Sequence, residues 1–161
     1  MSVPAPIVVG IDGGPASIAA LEFAVREARL RRTHVRALSC WPSEDRRDDS
    51  GPLLCSTHEQ ASEVLDHVIE QVRVRHPDAA TIVREVDQNL PGPALVSASR
   101  HAQLLVLGST TRGGHGRHHG RRTIEHCLLF AHGPVVIVPY TAAGLDETDI
   151  DVDLHLDVAA P

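Results

Sequence analysis

The chain contains no lysine, and all 15 of its basic residues are arginines. The absence of lysine excludes a Walker-type phosphate loop, which requires the sequence Gly-Lys-Ser/Thr. It also excludes Schiff-base chemistry on a lysine amine. Aromatic residues make up only 2% of the 161 residues, so the core of a single domain must be built from Val, Leu, Ile and Ala.

Long apolar runs and paired cysteines are also missing. No run approaches the roughly 20 residues that a membrane helix requires, and residues 1–6 carry no signal-like segment. Cysteines occur at positions 40, 55 and 127 without paired spacing, which indicates reduced thiols and neither a disulfide framework nor a zinc site. We therefore expect a cytoplasmic protein that does not bind membranes.

Charge is distributed unevenly along the chain. The net charge is −6, and residues 141–161 contain six acidic residues and no arginine, so residues 1–139 are formally neutral. From residue 149 to residue 158 polar residues alternate with apolar ones, which is typical of a strand with one apolar face. We predict a domain over residues 1–139 and an acidic tail over residues 140–161, which is either an extra edge strand or disordered.

Five short apolar runs alternate with amphipathic helical patterns. The runs predict strands at residues 7–11, 35–41, 81–86, 104–108 and 135–138. This alternation predicts an α/β fold, in which a five-stranded parallel sheet carries helices on both faces. Ligands of such sheets bind at the carboxyl ends of strands where the strand order reverses. We therefore expect the loops at residues 12–14 and 109–120 to line a binding site.

Several motifs, taken in order, resemble the universal stress protein family over roughly residues 6–139. The matching segments are Ile-Val-Val-Gly-Ile-Asp-Gly at 7–13, Trp-Pro at 41–42, Leu-Leu-Val-Leu-Gly-Ser at 104–109, Arg-Gly-Gly at 112–114 and Pro-Val-Val-Ile-Val-Pro at 134–139. The resemblance implies a Rossmann-like fold of the adenine nucleotide alpha hydrolase-like type. It also implies a homodimer in which the edge strand, with Val135, Val136, Ile137 and Val138, pairs with its copy.

Members of this family that bind ATP resemble one another in a loop written Gly-x2-Gly-x9-Gly-Ser/Thr. Its glycines let backbone N–H groups approach the phosphate oxygens. When the pattern is aligned with this sequence without gaps, Gly108 matches its first glycine, and Thr111, Arg121 and Arg122 occupy its other three positions. We therefore expect family-type ATP binding to be weakened or lost.

In the adenosine half of the family site, this sequence keeps residues of the type that the family has. Asp12 matches the position that meets the adenosine, and Gly10, Ile11, Cys40 and Leu107 match the adenine slot. The full set of candidate nucleotide-binding residues is Gly10, Ile11, Asp12, Cys40, Leu107, Gly108, Thr110, Thr111, Arg121, Arg122 and Thr123.

Three functions follow from these residues. The leading hypothesis is a stress-response regulatory or binding protein with no robust enzyme activity. The alternative is an ATP-binding protein with slow hydrolysis, in which Arg121 and Arg122 hold the phosphates, because arginine binds phosphate in a bidentate manner. The third is a metal-binding module that uses His115, His118 and His119, although a solvated polar loop accounts for these residues without a metal in a chain with 11 histidines.

Other chemistry has little support. No Gly-x-Ser-x-Gly elbow surrounds any serine, so nucleophilic catalysis is not indicated. The low aromatic content and the negative net charge argue against nucleic-acid binding. The expected partners are a second copy of the chain and an adenine nucleotide or another anionic ligand.

Overall fold

The computed structural model describes residues 4–42, 55–110 and 118–140, with only the backbone for residues 118 and 119. Strands and helices alternate along these residues, as the sequence predicts. Their order is β1 (Ile7–Gly10), α1 (Pro15–Leu30), β2 (Val35–Cys40), α2 (His58–Arg75), β3 (Ile82–Asp87), α3 (Pro91–Ser99), β4 (Leu104–Thr110), α4 (His118–Phe130) and β5 (Val135–Tyr140).

Local sequence explains where the first two helices begin and end. Pro15 occupies the first position of α1, where its missing N–H breaks no hydrogen bond. Thr57 caps α2, because its side chain accepts a hydrogen bond from the backbone N–H of Gln60 at 3.2 Å. The α2 helix ends at Arg75, since Pro77 disfavours the helical conformation at the residue before it.

The strands form one parallel sheet in the order β3-β2-β1-β4-β5. The central strand β1 pairs with β2 on one side and with β4 on the other, so Val9 lies opposite both Ala37 and Val106. The order in which the chain adds strands reverses at β1. The carboxyl ends of β1 and β4 therefore border the crevice in which ligands bind in such sheets. The predicted α/β fold is confirmed, and β5 lies at an edge as expected.

Helices cover both faces of the sheet with aliphatic side chains. The helices α1 and α2 pack against one set of alternating strand residues, which includes Val9, Ala37 and Val106. The opposite set, with Val8 and Leu105, packs against α3 and α4. This alternation follows from the period of two residues along a strand.

The region after β4 differs from the sequence prediction. The strand continues to Thr110, and α4 already begins at His118, six residues before the apolar pattern that starts at Ile124. The first turns of α4 carry histidine, glycine and arginine, so hydrophobic periodicity cannot detect them. Arg121 and Arg122 consequently belong to a helix and not to the loop.

Among the described residues, no helix is long and apolar enough to cross a membrane. The fifth strand extends through Tyr140. Residues 141–161 lie outside the described residues, so the alternatives of an edge strand and disorder for the acidic tail stay predictions.

Candidate functional site

A tight turn after β1 holds Asp12 at the crevice. The backbone N–H of Ile11 extends the ladder by donating to the carbonyl of Leu38 at 2.8 Å. Asp12 Oδ1 then accepts from the backbone N–H of Gly14 at 2.8 Å, which fixes the exposed carboxylate beside the start of α1. Gly13 adopts a φ of +86°, a conformation that glycine reaches without strain. Among the described residues, none donates a hydrogen bond to the second carboxylate oxygen of Asp12.

Gly108, the retained glycine of the family loop, lies against the first turn of α1. A Cβ atom at this position would lie 2.1 Å from the carbonyl oxygen of Ala16 and 2.8 Å from the backbone nitrogen of Ser17. Both neighbours are backbone atoms of a helix that is anchored on the sheet. Gly108 is therefore required for the contact between β4 and α1, whether or not a ligand is present.

The candidate adenine-slot residues divide between the two faces of the sheet. Gly10 and Leu107 lie on the face covered by α3, where a Cβ on Gly10 would meet Leu107 Cδ2 at 3.0 Å and Leu95 Cδ1 at 3.2 Å. Cys40 packs against the buried residues of this same face. Ile11 is buried on the opposite face beneath α1 and α2. Only the backbone of Ile11 can therefore reach a ligand that lies on the first face.

The carboxyl end of β2 carries residues that the sequence pattern did not assign to the site. Trp41 packs edge-on against His58, with ring centroids 5.9 Å apart and planes at 89°. The backbone N–H of Trp41 donates to the carbonyl of Asp87 at 3.0 Å, which ties the end of β2 to the end of β3. The family resemblance had marked Trp41 only as part of a matching motif, because contacts with α2 are not visible in a linear pattern.

The three cysteines are free thiols. Burial, followed by the negative charge of Asp87, raises the pKa of Cys40 to about 12. Burial alone raises the pKa of Cys127 to about 11. Burial, followed by the charge of Asp12, also raises the pKa of Cys55. A raised pKa disfavours the thiolate, so none of the three thiols has the lowered pKa that is typical of a nucleophilic cysteine.

The polar composition of residues 42–56 predicts a surface loop that would include Cys55. Cys55 is instead only 4% exposed, and Pro42 at the other end of this segment is also buried. The polar residues between them dominate the composition, which is why the sequence suggested a surface segment. Residues 43–54 lie outside the described part of the chain.

The first turns of α4, the helix that follows β4, carry the two motif arginines. Arg121 Nε donates to Glu125 Oε1 at 2.9 Å, one turn further along the helix, and Arg122 is also exposed. Thr123 follows them and is half-buried, as is Thr110 at the end of β4. Thr111 lies outside the described residues. The first backbone N–H groups of a helix have no partner within the helix, and a helix N-terminus therefore favours an anion.

The histidines of the predicted metal-binding loop lie largely outside the described residues. His115 is not described, and only the backbone is described for His118 and His119. Within residues 4–42, 55–110 and 118–140, no group of three or more His, Cys, Asp or Glu side chains could hold a metal ion. The predicted loop site for a metal stays untested.

The edge formed by β5 is apolar along its length. Val136 and Val138 pack against the α1 and α2 side of the core, and Val135 and Ile137 pack against the α3 and α4 side. All four are half-buried. The preceding end of α4 exposes three large apolar residues, Leu128, Leu129 and Phe130. Apolar edges of this kind invite pairing with another strand.

Comparison with known proteins identifies relatives of this architecture. Residues 5–139 match the sequence model of the universal stress protein family. Universal stress protein Rv2623 of Mycobacterium tuberculosis is 34% identical over 133 residues, which cover 83% of this chain and 44% of that protein. Universal stress protein Rv1996 of the same species is 36% identical over 138 residues, covering 83% of this chain and 43% of that protein. The chain thus spans less than half the length of these curated relatives.

Solved structures share the fold at low identity. A universal stress protein from Archaeoglobus fulgidus in complex with dAMP superposes with a TM-score of 0.62 at 22% identity, covering 85% of this chain and 99% of that one. A universal stress protein from Arabidopsis thaliana with AMP bound gives a TM-score of 0.56 at 14% identity, covering 89% and 97%. The family match over residues 5–139, the relatives above 30% identity and the shared fold lead to one conclusion: the chain belongs to the universal stress protein family.

Proposed function

We propose that this chain is a cytoplasmic stress-response regulatory protein that binds the adenosine part of an adenine nucleotide and gains little affinity from a β- or γ-phosphate. The observation that carries the proposal is the reversal of strand order between β1 and β4, where Asp12 is held by the hydrogen bond that it accepts from Gly14, beside a phosphate loop that has lost its family residues. Proteins of the same fold have been solved with dAMP, cAMP and AMP, which supports a nucleotide as the ligand.

The phosphate half of the site supports weak binding of a triphosphate. Gly108 is the one motif residue that is kept, and packing against α1 accounts for it without any ligand. The positions of the third glycine and the hydroxyl hold Arg121 and Arg122, which lie in α4. A helical arginine cannot replace the close backbone approach that glycine allows. The helix N-terminus can still favour a single phosphate group.

The second candidate, ATP binding with slow hydrolysis, rests on the accessibility of Arg121. Its ion pair with Glu125 is exposed on both sides, with 82% and 55% of the two side chains accessible. Exposed pairs of this kind contribute about 0.3–0.5 kcal/mol, so a phosphate could replace the carboxylate as the partner of Arg121. In that case the arginines would supply the charge that the family loop supplies with backbone N–H groups.

The variant Arg121→Ala/Arg122→Ala separates the two candidates. We expect its ATP dissociation constant to stay within about threefold of the wild-type value, whereas phosphate-holding arginines would make it weaker by about tenfold or more. The change can be followed by the fluorescence of Trp41, the single tryptophan of the chain, and by calorimetry. The variant Arg73→Ala/Arg100→Ala removes the same charge from exposed positions elsewhere and serves as the matched control.

We also propose that the chain forms a homodimer through the β5 edge. The half-buried aliphatic residues of β5 and the exposed apolar residues at the end of α4 are what a second copy would cover. Light scattering of the full chain at micromolar concentration is expected to give twice the mass of one chain. The variant Leu129→Glu is expected to shift the mass towards the monomer, whereas Leu30→Glu, at an equally exposed position on α1, is not. A monomeric wild type would contradict the proposal.

A further inference from the structure

A cleft between α1 and α2 lies at the opposite end of the molecule from Asp12. Both helices start near the carboxyl ends of the strands and end near the amino ends, so their last turns lie far from the crevice. The cleft has a volume of about 210 Å³. Its lining includes Arg26 and Arg29 of α1, Arg75 of α2, and His76, Asp78 and Ala79 of the following segment.

The side chains of the cleft leave an excess of positive charge. Arg75 Nη1 donates to Glu22 Oε1 at 3.0 Å, and His76 Nε2 lies 3.6 Å from the same oxygen. The guanidinium groups of Arg26 and Arg29 form neither a hydrogen bond nor an ion pair with any described residue. The lining therefore combines three guanidinium groups with the single carboxylate of Asp78, and Glu22 compensates only Arg75.

Stabilisation of helix ends accounts for part of this arrangement. Arg29 and Arg75 lie in the last turns of their helices, where cations interact favourably with the helix dipole. Arg26 lies a full turn before Leu30, beyond the reach of that effect. The dipole also gives no reason for arginines of two helices to line one cavity together with a carboxylate.

We propose that this cleft binds a phosphate monoester of a small polyol. The unpaired guanidinium groups of Arg26 and Arg29 would hold the phosphate dianion, because arginine donates paired hydrogen bonds to phosphate oxygens. Asp78 would accept a hydrogen bond from a hydroxyl group of the ligand, which a bare polyanion cannot offer. The cavity has room for a phosphate group and a short carbon chain. This site is separate from the proposed nucleotide site and does not depend on it.

Titration of the full chain with glycerol 3-phosphate tests the proposal by calorimetry and by amide NMR. We expect saturable binding, with the largest shifts at the amides of Arg29 and Ala79. The variant Arg26→Gln/Arg29→Gln should bind about tenfold more weakly. Glu22→Gln should bind more tightly, because it releases Arg75 from its ion pair and makes a third guanidinium available to the phosphate.

Control variants separate the cleft from other anion sites. Arg31→Gln removes a charge from the same end of α1, where Arg31 is paired with Glu27, and should leave the binding unchanged. Asp12→Asn should also leave it unchanged, because Asp12 lies at the other end of the sheet. Inorganic phosphate should bind more weakly than glycerol 3-phosphate, and glycerol should not bind. Equal affinity of the Arg26→Gln/Arg29→Gln variant and the wild type, or no binding up to about 10 mM ligand, would overturn the proposal.

Discussion

Replacing Gly108 with alanine is expected to lower the free energy of unfolding by about 3 kcal/mol, without any ligand present. The added methyl group would lie 2.1 Å from the carbonyl oxygen of Ala16 and 2.8 Å from the nitrogen of Ser17. Relief of this overlap requires α1 to move away from β4. The helix packs against β1, β4 and β5 through residues such as Leu21 and Val25, which are almost completely buried. The displacement therefore disturbs the main core and not only one turn.

Urea denaturation of the Gly108→Ala and Gly120→Ala variants, compared side by side, isolates the effect of the overlap on the free energy of unfolding. A Cβ on Gly120 would meet nothing within 4 Å, and alanine favours the helix, so Gly120→Ala should be neutral or stabilising by up to about 1 kcal/mol. Both variants remove a glycine beside the candidate phosphate region, yet only one is expected to destabilise the fold. Equal stability of the two variants would contradict the packing role of Gly108.

Replacing Asp12 with asparagine is expected to weaken AMP binding by about tenfold to a hundredfold. The substitution keeps an oxygen that can accept the hydrogen bond from the N–H of Gly14, so the turn after β1 should stay formed. It removes the negative charge from the oxygen that a ligand hydroxyl would meet. Hydrogen bonds to charged groups contribute about 1.5–3 kcal/mol, which sets the expected range.

Two comparisons make the Asp12→Asn result interpretable. The thermal unfolding midpoint of the ligand-free variant should match that of the wild type, because the side-chain oxygen at position 12 still accepts the hydrogen bond from the backbone N–H of Gly14. Glu63→Gln removes one charge from an exposed position on α2 and should not change AMP affinity. A loss of affinity in both variants would indicate a general charge effect, and unchanged affinity in Asp12→Asn would exclude Asp12 from the site.

The sequence predicts most of the fold, because its signals are local and periodic. Apolar runs such as Ile7–Gly10 predict buried strands, and the alternation with helices leaves a parallel sheet as the solution. The start of α4 cannot be predicted in this way, since its first turns contain polar residues and no apolar stripe. The family motif is written as a loop, but it gives only the spacing of residues along the chain and carries no information on secondary structure.

The candidate site is only partly predictable for a related reason. Asp12 and Gly108 can be located from strand ends and motif spacing, and the structure places them at the reversal of strand order. The contact of Gly108 with Ala16 joins residues far apart in sequence, so the structural reason for this glycine becomes visible only in three dimensions. The same holds for Trp41 with His58 and for the burial of Cys55, which depend on how α2 packs.

Calorimetric titration of the wild-type chain with AMP and with ATP tests the central claim most directly. If the adenosine part is held and the family phosphate loop is lost, the two dissociation constants should agree within about threefold. The titrations should be repeated with and without Mg²⁺ at fixed ionic strength, because screening changes the attraction between charged groups. ATP binding that is tighter than AMP binding by about tenfold or more would show that the remodelled loop still holds the additional phosphates, and it would contradict the account.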